Sequence, residues 1–456
     1  MLTYKNDPLL IEETANDLIK NNRKDLIFLD KNKKTLNLYS AFIRKKDFIK
    51  QKSKNQIFQK AIYATGDKLA IKIKGLIKNK KQLIKDLENY ACQKNRLEYA
   101  YDRWFKKRIF PLILLRIISK NKKELTDLLN LTDYFTDFLN KSRFYPPKKI
   151  NELLTDKNSY FIGCSIGDGH IDKECRRWVL VDGTSKKELL KYSKEFCEKL
   201  KNLISPYINY SKIIEKNTKY SLILYNKPFC RFLNFFFSLP LGKKSNCILK
   251  VPLIIKDTSL EKYFWRGCFD TDGSIHKQGG INFCSSDKNL LNECSNYLNR
   301  INIKSKKIKE ELVVINMPHL KKFSHIGLSH PRKQKEFLKI LKRGSKYKDI
   351  KIRNKKKINK KLLEIYNLIR SDNNYRIRIH SRNLKNSKFS EKEIKKIIKE
   401  LFGYKLKTTT KNLLYFKSKK VYEYLNKNFV FEPYWKPIDK KEEIQLLNNW
   451  NNVWLK

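Results

Sequence analysis

The sequence predicts an α+β fold that contains a duplicated half-domain. The first observation is a short pattern that occurs twice, about a hundred residues apart, and ends each time in Asp-Gly after a stretch of helical character. The second is that the same segments follow each copy in the same order: a β-hairpin, an amphipathic helix, two strands and a further helix. Separate helices combined with antiparallel hairpins are typical of the α+β class.

The second copy of the pattern ends in Asp272-Gly273. Thr258 and Glu261 have the spacing of a capping box, which predicts a helix that begins near Ser259. Gly273 can adopt the left-handed conformation that ends a helix, so we expect Asp272 in the last helical turn. A carboxylate there faces the negative end of the helix dipole, which costs roughly 0.3–1 kcal/mol. An acid in this position indicates a role in holding a divalent cation.

The first copy ends in Asp168-Gly169, and Thr155 or Asp156 is the predicted cap of its helix. Small residues four positions apart lie on one helix face and let two backbones approach closely. In these two helices they are Gly163 and Gly167, then Gly267 and Thr271. Side-by-side packing would bring Asp168 and Asp272 together at one end. Carboxylates that close repel each other unless protons or a metal ion lie between them.

The stretches Phe161–Gly169 and Trp265–Gly273 resemble the two signature motifs of the LAGLIDADG, or dodecapeptide (DOD-type), homing endonucleases. One such stretch is a weak pattern, whereas two at this spacing in a strongly basic chain are much more specific. In the family the acid before the final glycine is indispensable, and Asp168 and Asp272 occupy that position.

The first copy departs from the family pattern at Ile166, where the family often has an acidic residue that the second copy keeps as Asp270. The resemblance implies an αββαββα order in each half and saddle-shaped antiparallel sheets. The halves are expected at about 155–257 and 258–345. Two halves in one chain imply a monomer with pseudo-twofold symmetry.

Three regions are expected along the chain: a mostly helical region over 1–150, the duplicated domain over 151–345, and a basic α/β region over 346–456. Within the first region, residues 122–139 have the pattern of two short helices. This pattern is compatible with a helix-turn-helix and equally with an ordinary helical hairpin.

The last region begins with a dense basic run, Lys346–Lys361, which indicates a linker or a helix that follows phosphates. Ser390 and Glu393 form a capping box, and Gly403 ends the helix that follows. A winged helix or helix-turn-helix that binds DNA and a simple packing appendage are both compatible with this pattern. We expect the aromatic residues near the end to pack on the core: Tyr434, Trp435, Trp450 and Trp454.

The charge of the chain predicts a polyanionic partner. Lys and Arg number 101 against 46 acids, a formal charge of +55, which indicates nucleic acid or an anionic membrane as the partner. The family resemblance implies double-stranded DNA, with intron RNA as the alternative partner. No apolar run reaches the roughly 20 residues of a membrane span, and the N-terminus has no signal-peptide character. The nine cysteines form no Cys-x-x-Cys pair, which indicates reduced thiols and a cytoplasmic protein.

Basic residues on the predicted hairpins and strands are candidates for DNA contact, because a two-stranded β-ribbon fits the major groove. Any single lysine among them is more simply a solvated surface residue, so the set carries the hypothesis. The candidates are Lys173, Arg176, Arg177, Lys212, Lys216 and Lys219 in the first half, and Lys277, Lys304, Lys306, Lys307 and Lys309 in the second.

Two turn-rich loops, Leu239–Ser245 and Ile326–Lys333, occupy corresponding places in the two halves. In similar archaeal and intein-encoded nucleases a lysine from this region lies near the metal-bound water. By that resemblance Lys244 and Lys333 are the candidate catalytic lysines, with Lys243 and Arg332 as alternatives. Simple phosphate contact or a surface loop explains these residues equally well.

The resemblance implies Mg²⁺-dependent hydrolysis of phosphodiesters in both DNA strands, with Asp168 and Asp272 as catalytic metal ligands and Gly167 and Thr271 beside them. His170 and His276 are interpreted as DNA-contact or neutral residues, because no second pair has zinc-ligand spacing.

An intron-encoded or free-standing enzyme is expected rather than an intein, since the chain begins at Met1 and ends at Lys456 without a splicing nucleophile or terminal Asn. An intron RNA maturase and a DNA-binding regulator that does not cleave are the alternatives.

Overall fold

The computed structural model forms two compact units, Met1–Lys335 together with Leu446–Lys456, and Glu336–Gln445. The expected boundary near residue 150 does not separate two units, and the expected boundary near 345 lies ten residues earlier. The last residues of the chain return to the first unit. The structure describes residues 13–30, 35–36, 38–42, 61–88, 94–137, 141–276, 279–315, 317–342, 348–352, 362, 365, 368–371, 376–380, 389–408, 413–433 and 437–455.

Two helices at the centre of the first unit carry the repeated pattern. They are Asp156–Gly167, called motif helix 1, and Glu261–Asp272, called motif helix 2. The predicted cap of motif helix 1 is confirmed, because the Thr155 hydroxyl accepts a hydrogen bond of 3.1 Å from the Asn158 N–H.

Motif helix 2 begins two residues later than predicted, with Leu260 at its N-cap. The expected capping box does not form because the Glu261 carboxylate has other partners. It accepts a hydrogen bond of 2.8 Å from the Asp257 N–H and pairs with Arg300 at 2.7 Å. The predicted end of the helix is confirmed, since Asp272 is its last residue. The predicted left-handed conformation of Gly273 is wrong, because Gly273 has a φ of −84° and is already extended as the first residue of the strand Gly273–His276.

The two motif helices pack backbone against backbone. A Cβ atom added to Gly163 would lie 2.9 Å from the carbonyl carbon of Phe264, and one added to Gly267 would lie 2.7 Å from the Cys164 nitrogen. A Cβ on Gly167 would lie 2.7 Å from the Cβ of Thr271. The four small residues of the pattern therefore form the helix contact, as the sequence predicts.

Each motif helix leads into a four-stranded antiparallel sheet, and the two sheets have the same strand order. The first runs Gly169–Ile171, Trp178–Gly183, Lys219–Leu224, Lys212–Lys216. The second runs Gly273–His276, Gly280–Cys284, Glu311–Val314, Lys306–Ile308. Gly169 pairs with Leu180 and Gly273 with Phe283, so the registers also correspond. These matching sheets are the duplicated halves that the sequence predicts.

Helices cover one face of each sheet. In the strand Lys219–Leu224 the residues Tyr220, Leu222 and Leu224 are buried, and the alternate residues are exposed or half-buried. This alternation leaves the other face of the sheet to solvent. In the first half the helix Leu190–Ile204 packs on the sheet, and in the second half Lys288–Arg300 does. The halves also contain the helices Lys227–Phe237, Met317–Phe323 and Pro331–Lys342.

The N-terminal region is mixed rather than mostly helical. Its helices are Ala15–Lys20, Leu38–Phe42, Asp67–Leu76, Lys80–Glu88, Lys94–Lys107, Leu112–Ile118, Lys122–Asn130 and Ile150–Leu153. A four-stranded sheet runs Ile109–Pro111, Tyr63–Thr65, Tyr134–Thr136, Arg143–Phe144, and a two-stranded sheet pairs Phe28–Asp30 with Thr35–Leu36.

The helix-turn-helix expected over 122–139 is wrong, and so is the helical hairpin. Only the first helix, Lys122–Asn130, forms. The chain then continues as the strand Tyr134–Thr136, which pairs with Tyr63–Thr65 and places Phe135 in the core. Aromatic and β-branched residues favour a strand once a partner strand is available, and that partner lies some seventy residues earlier in the chain.

The second unit contains a six-stranded antiparallel sheet. Its strands in spatial order are Lys407–Thr408, Leu413–Lys417, Arg376–His380, Ile369–Ser371, Lys348–Ile352 and Phe429–Pro433. The helix Glu391–Phe402 confirms the predicted capping box and the stop at Gly403, and Lys419–Asn428 follows. This sheet is larger than the wing of a winged helix, so the unit has a different architecture from the one suggested.

Much of the predicted basic run lies outside the described residues, as do Tyr434 and Trp435, but residues 348–352 of the run form a strand. The helix Lys440–Asn451 returns the chain to the first unit. Within the part of the chain that the structure describes, no helix combines the length and the apolar character that a membrane span requires.

The close helix contact predicts that Gly267→Ala lowers the free energy of unfolding by about 1–3 kcal/mol, because the new methyl group meets main-chain atoms that cannot move aside. Gly75→Ala is the matched control. It lies in the helix Asp67–Leu76. Apart from its chain neighbours and the backbone of its own helix, no described atom lies within 4 Å of a Cβ added there. Urea denaturation followed by tryptophan fluorescence measures both. Equal stability of the two variants would contradict the contact.

Candidate active site

The ends of the motif helices bring the two predicted acids together. Asp168 caps motif helix 1, and Asp272 is the last residue of motif helix 2. The Oδ2 atom of Asp272 lies 3.3 Å from the position that a Cβ on Gly167 would occupy, one residue before Asp168. Asp168 is an exposed residue and Asp272 is half-buried. The place between the two helix ends where these acids lie is here called the recess.

The recess raises the pKa of both acids. Burial raises the pKa of Asp272, and the nearby charge of Asp168 raises it further, to about 7, against the opposing effect of Lys244 and Lys333. Burial also raises the pKa of Asp168, although part of this carboxylate reaches solvent, and the same two lysines oppose the shift. Two acids with raised pKa values in one recess are a frequent mark of a functional site.

Lys333 is buried beneath the end of motif helix 2. Its Nζ atom donates to four main-chain carbonyls, which share its three N–H groups: those of Phe269 at 3.1 Å, Asp270 at 2.6 Å, Thr271 at 2.9 Å and Gly273 at 2.6 Å. A lysine in this position satisfies carbonyls that the helix leaves unpaired and offsets the negative end of its dipole.

Lys244 has the corresponding position at motif helix 1. Its Nζ atom donates to the carbonyls of Ile166, at 2.7 Å, and Gly167. Burial lowers the pKa of Lys244, and the charges of Asp272 and Asp168 counteract part of that effect. Burial likewise lowers the pKa of Lys333, with Asp270 and Asp168 opposing. Each half therefore contributes one lysine and one acid to the same recess.

The alternative basic residues do not take these positions. Lys243 is exposed, and the main-chain N–H of Arg332 donates to the Nδ1 atom of His330 at 3.2 Å. The structure thus places Lys244 and Lys333 against the helix ends, while a part for them in the chemistry remains a prediction.

The donor atoms around the two acids are oxygens. Besides the carboxylates of Asp168 and Asp272, the carbonyls of Gly167 and Thr271 lie at the helix ends, where each also accepts a hydrogen bond from Lys244 or Lys333. The Thr271 hydroxyl is engaged elsewhere, since it donates to the carbonyls of Gly267 and Cys268 at 3.0 Å each. Two carboxylates with further oxygens suit Mg²⁺, which is commonly held by one or two carboxylates together with substrate phosphates.

Among the described residues, no group of three or more His, Cys, Asp or Glu side chains has the geometry of a metal site. An ion bound by the pair would therefore depend on main-chain, water or substrate oxygens for its remaining ligands. His170 and His276 are exposed on the strands that follow the two acids.

The sequence did not predict the buried polar contacts behind the site. Asp270 is buried, and its Oδ2 atom accepts hydrogen bonds from the Tyr160 hydroxyl at 2.7 Å, the Ser329 N–H at 2.7 Å and the His330 N–H at 3.0 Å. Asp270 therefore joins both motif helices to the loop before Lys333. The motif comparison singled out Asp270, but its partners are remote in sequence.

Asp182 and His330 form a second contact between the halves, at 3.2 Å between Oδ2 and Nε2. Burial raises the pKa of Asp182, but the hydrogen bonds from His330 and Ser193 and the charges of His330 and Lys333 bring it below its ordinary value. His330 is buried and stacks against Phe196 with ring centroids 4.5 Å apart. Nothing in the local sequence indicated this pair.

Most of the predicted DNA-contact residues lie at the surface of the two sheets. Lys212, Lys216 and Lys219 are exposed on the first sheet, and Lys304, Lys306 and Lys309 are exposed at the second. Lys307 is also exposed, and its Nζ atom donates to the Asn292 side chain at 3.0 Å. Lys277 lies outside the described residues.

The turn between the first two strands carries Lys173, Arg176 and Arg177. All three are exposed, and the two arginines approach Asp172 at 4.0 and 3.8 Å. Exposed ion pairs of this kind contribute little to stability, so these side chains can exchange Asp172 for another anion at low cost.

Residues 259–327 match the family model described as a LAGLIDADG-like domain. The match begins just before motif helix 2 and ends in the loop that precedes Lys333, so it covers most of the second half. It includes Asp270 and Asp272 and agrees with the resemblance seen in the sequence.

Solved homing endonucleases are also similar to part of the chain. I-DmoI in complex with DNA and Mn has 19% identity and a TM-score of 0.29, covering 38% of this chain and 97% of that one. The I-SmaMI LAGLIDADG homing endonuclease bound to cleaved DNA has 11% identity and a TM-score of 0.27, covering 40% and 87%.

Two curated relatives come from Methanocaldococcus jannaschii. A probable translation initiation factor IF-2 is 29% identical over 217 residues, which are 44% of this chain and 17% of the relative. A replication factor C small subunit is 28% identical over 220 residues, 46% of this chain and 11% of the relative. The chain spans less than a fifth of the length of either relative, so most of each relative lies outside the part that matches this chain.

The raised pKa of Asp272 predicts a stability that depends on pH when no metal is bound. The folded state keeps the Asp272 proton up to about pH 7, whereas the unfolded chain loses it near pH ~4. The free energy of unfolding contributed by this group therefore falls as pH rises between these values. We expect Asp272→Asn to raise the thermal midpoint at pH ~8 in chelator, with the gain vanishing near pH ~4.

Asp182→Asn is the control, because the pKa of Asp182 is shifted in the opposite direction to that of Asp272. The pKa of Asp182 is lowered, so its contribution to stability is present above pH ~4 and is lost as pH falls through its folded pKa. The variant should have a lower midpoint than the wild type at pH ~8, with a smaller difference in acid. If Asp272→Asn behaved like Asp182→Asn, Asp272 would be a structural residue and not a destabilised acid.

Proposed function

We propose that this chain is a divalent-metal-dependent homing endonuclease that hydrolyses phosphodiester bonds in both strands of double-stranded DNA at a specific site. The observation that carries the proposal is the pair of acids with raised pKa at the abutting ends of the motif helices. The half-buried Lys244 and the buried Lys333 lie beside them. The LAGLIDADG-like match over 259–327 supports the same assignment.

The substrate class follows from charge and symmetry. A formal charge of +55 favours a polyanion, and the exposed lysines of the two sheets lie on the same domain as the acid pair. Two halves with the same strand order suit the two antiparallel strands of a duplex, because each half can address one strand. Since one chain contains both halves, a monomer is sufficient for the reaction.

Asp168 and Asp272 would hold Mg²⁺ or a similar ion, with the carbonyls of Gly167 and Thr271 close by. When bound, such an ion activates water and stabilises the leaving oxygen of a phosphodiester. Lys244 and Lys333 hold the helix ends in position, and their charges favour negative charge that develops on a phosphate between them. The recess keeps these charges in surroundings less polar than water, which strengthens their effect.

The role of the acid pair predicts variants that lose cleavage and keep DNA binding. We expect Asp168→Asn or Asp272→Asn to reduce cleavage by at least about a hundredfold while DNA affinity is retained, since the carboxylates serve the ion more than the duplex. The assay incubates the full chain with Mg²⁺ and an AT-rich genomic DNA library, maps the ends by sequencing, and then measures rate and affinity on the identified site.

Glu195→Gln is a surface control in the half that carries Asp168, where Glu195 pairs with Lys199 on one helix and its side chain is 46% exposed. It should cleave at the wild-type rate. Wild-type protein that binds intron RNA and makes no cut in any DNA would support a maturase instead. Loss of folding in both Asn variants would mean that the acids are structural.

A further inference from the structure

The last part of the chain packs against the loop that precedes Lys333. Residues 446–455, here called the closing segment, belong to the same compact unit as the motif helices. Trp450 is fully buried, and its indole N–H donates to the Ser324 carbonyl at 2.7 Å. The Trp454 indole donates to the Ser329 carbonyl at 3.2 Å, and the Ser329 hydroxyl donates to the Trp450 carbonyl.

Arg266 connects motif helix 2 to both the loop before Lys333 and the closing segment. It is 1% exposed, and its Nε atom donates to the Ile326 carbonyl at 2.6 Å. Its Nη1 atom donates to the closing segment, to the carbonyls of Asn449 at 3.1 Å and Trp450 at 3.3 Å. One buried guanidinium thus holds motif helix 2, the loop and the closing segment together, and losing any of these acceptors would leave a buried donor unpaired.

The fit between loop and closing segment leaves no free space. Gly327 has a φ of +73°. A Cβ on Gly327 would lie 2.9 Å from the Cγ atom of Trp450. On its other side the loop is fixed by Asp270, which accepts from the N–H groups of Ser329 and His330. Because the helix that carries Lys333 begins at Pro331, both sets of contacts determine where that lysine lies.

The corresponding lysine of the first half is held differently. The loop that carries Lys244 is fixed by the Gly242 N–H, which donates to the Ile171 carbonyl at 2.7 Å, and by the Cys247 N–H, which donates to the Lys244 carbonyl at 2.9 Å. Lys173 packs over Gly242. These contacts all come from the first half. The closing segment reaches the first half elsewhere, where the Trp454 ring packs against Tyr160 of motif helix 1 and against Phe196, with ring centroids 5.0 and 6.4 Å apart. Its indole hydrogen bonds go to the loop before Lys333, so it acts on the two lysines unequally.

We infer that the closing segment positions Lys333, so that Trp450, Trp454 and Arg266 are positioning residues for one of two otherwise equivalent cutting centres. This inference rests on the proposed nuclease function for its effect on cleavage. Because Lys244 is held independently, loosening the closing segment slows the cut of one DNA strand more than the other. A general loss of stability would slow both cuts alike.

The test uses the full chain with two variants. Trp454→Ala removes a half-buried indole and its packing against Tyr160, whereas Trp450→Phe removes the indole N–H and leaves a smaller ring at the buried site. Leu455→Ala is the control, because Leu455 is in the same segment and 64% exposed. On a duplex labelled separately on each strand, we expect the ratio of the two cutting rates to change about five- to tenfold in both tryptophan variants, with nicked DNA accumulating. Binding of DNA should not change.

A second readout does not depend on cleavage. In the free protein we expect the amide protons of Ser329 and His330 to exchange faster in Trp454→Ala and Trp450→Phe than in Leu455→Ala, while those of Gly242 and Cys247 keep their rates. Unchanged exchange at Ser329 and His330 overturns the inference, whatever the activity. If the wild type cuts no DNA but exchange increases as expected, the positioning role is supported and the nuclease proposal fails. Equal slowing of both strands overturns the effect on one centre.

Discussion

The backbones of motif helices 1 and 2 meet where Gly163 and Gly267 face each other, and the geometry of the first unit depends on this contact. With side chains larger than hydrogen at these positions, the helices would have to separate by several ångströms. Their ends would then separate too, and Asp168 would no longer lie close enough to raise the pKa of Asp272. The sheets would follow, because each begins immediately after its motif helix.

Close packing concentrates negative charge at one end of the helix pair. Two carbonyl termini and two carboxylates converge there, and each helix dipole is least favourable to an acid at that end. Lys244 and Lys333 offset this charge, donating to main-chain carbonyls rather than pairing with the acids at hydrogen-bond distance. The arrangement leaves the carboxylates available, at a cost in stability, which is the usual compromise of a site that must bind something else.

The halves are alike in their sheets and unlike in what surrounds them. Only the second has its lysine-bearing loop covered by the closing segment, which reaches it after the chain has formed the separate unit Glu336–Gln445. The polar contacts behind the acids are also unequal. The buried carboxylate of Asp270 accepts several hydrogen bonds, whereas the side chain at the corresponding position, Ile166, is apolar and forms no hydrogen bonds. The duplicated domain has therefore kept its symmetry at the helix contact and lost it in the supporting residues.

Elements whose signals are local along the chain could be predicted from residue spacing. The Asp-Gly endings, the caps at Thr155 and Ser390, the small residues four apart and the alternation of the hairpins predict the motif helices, the two sheets and the meeting of Asp168 with Asp272. Other features became visible only in the folded chain. They are the strand Tyr134–Thr136 and the pairing of Glu261 with Arg300. They also include the position of Lys333, rather than Arg332, at the end of motif helix 2, and the contact of Trp450 with that helix. Each depends on a partner far away in the chain, and such a partner leaves no trace in the spacing of neighbouring residues until the fold brings the two together.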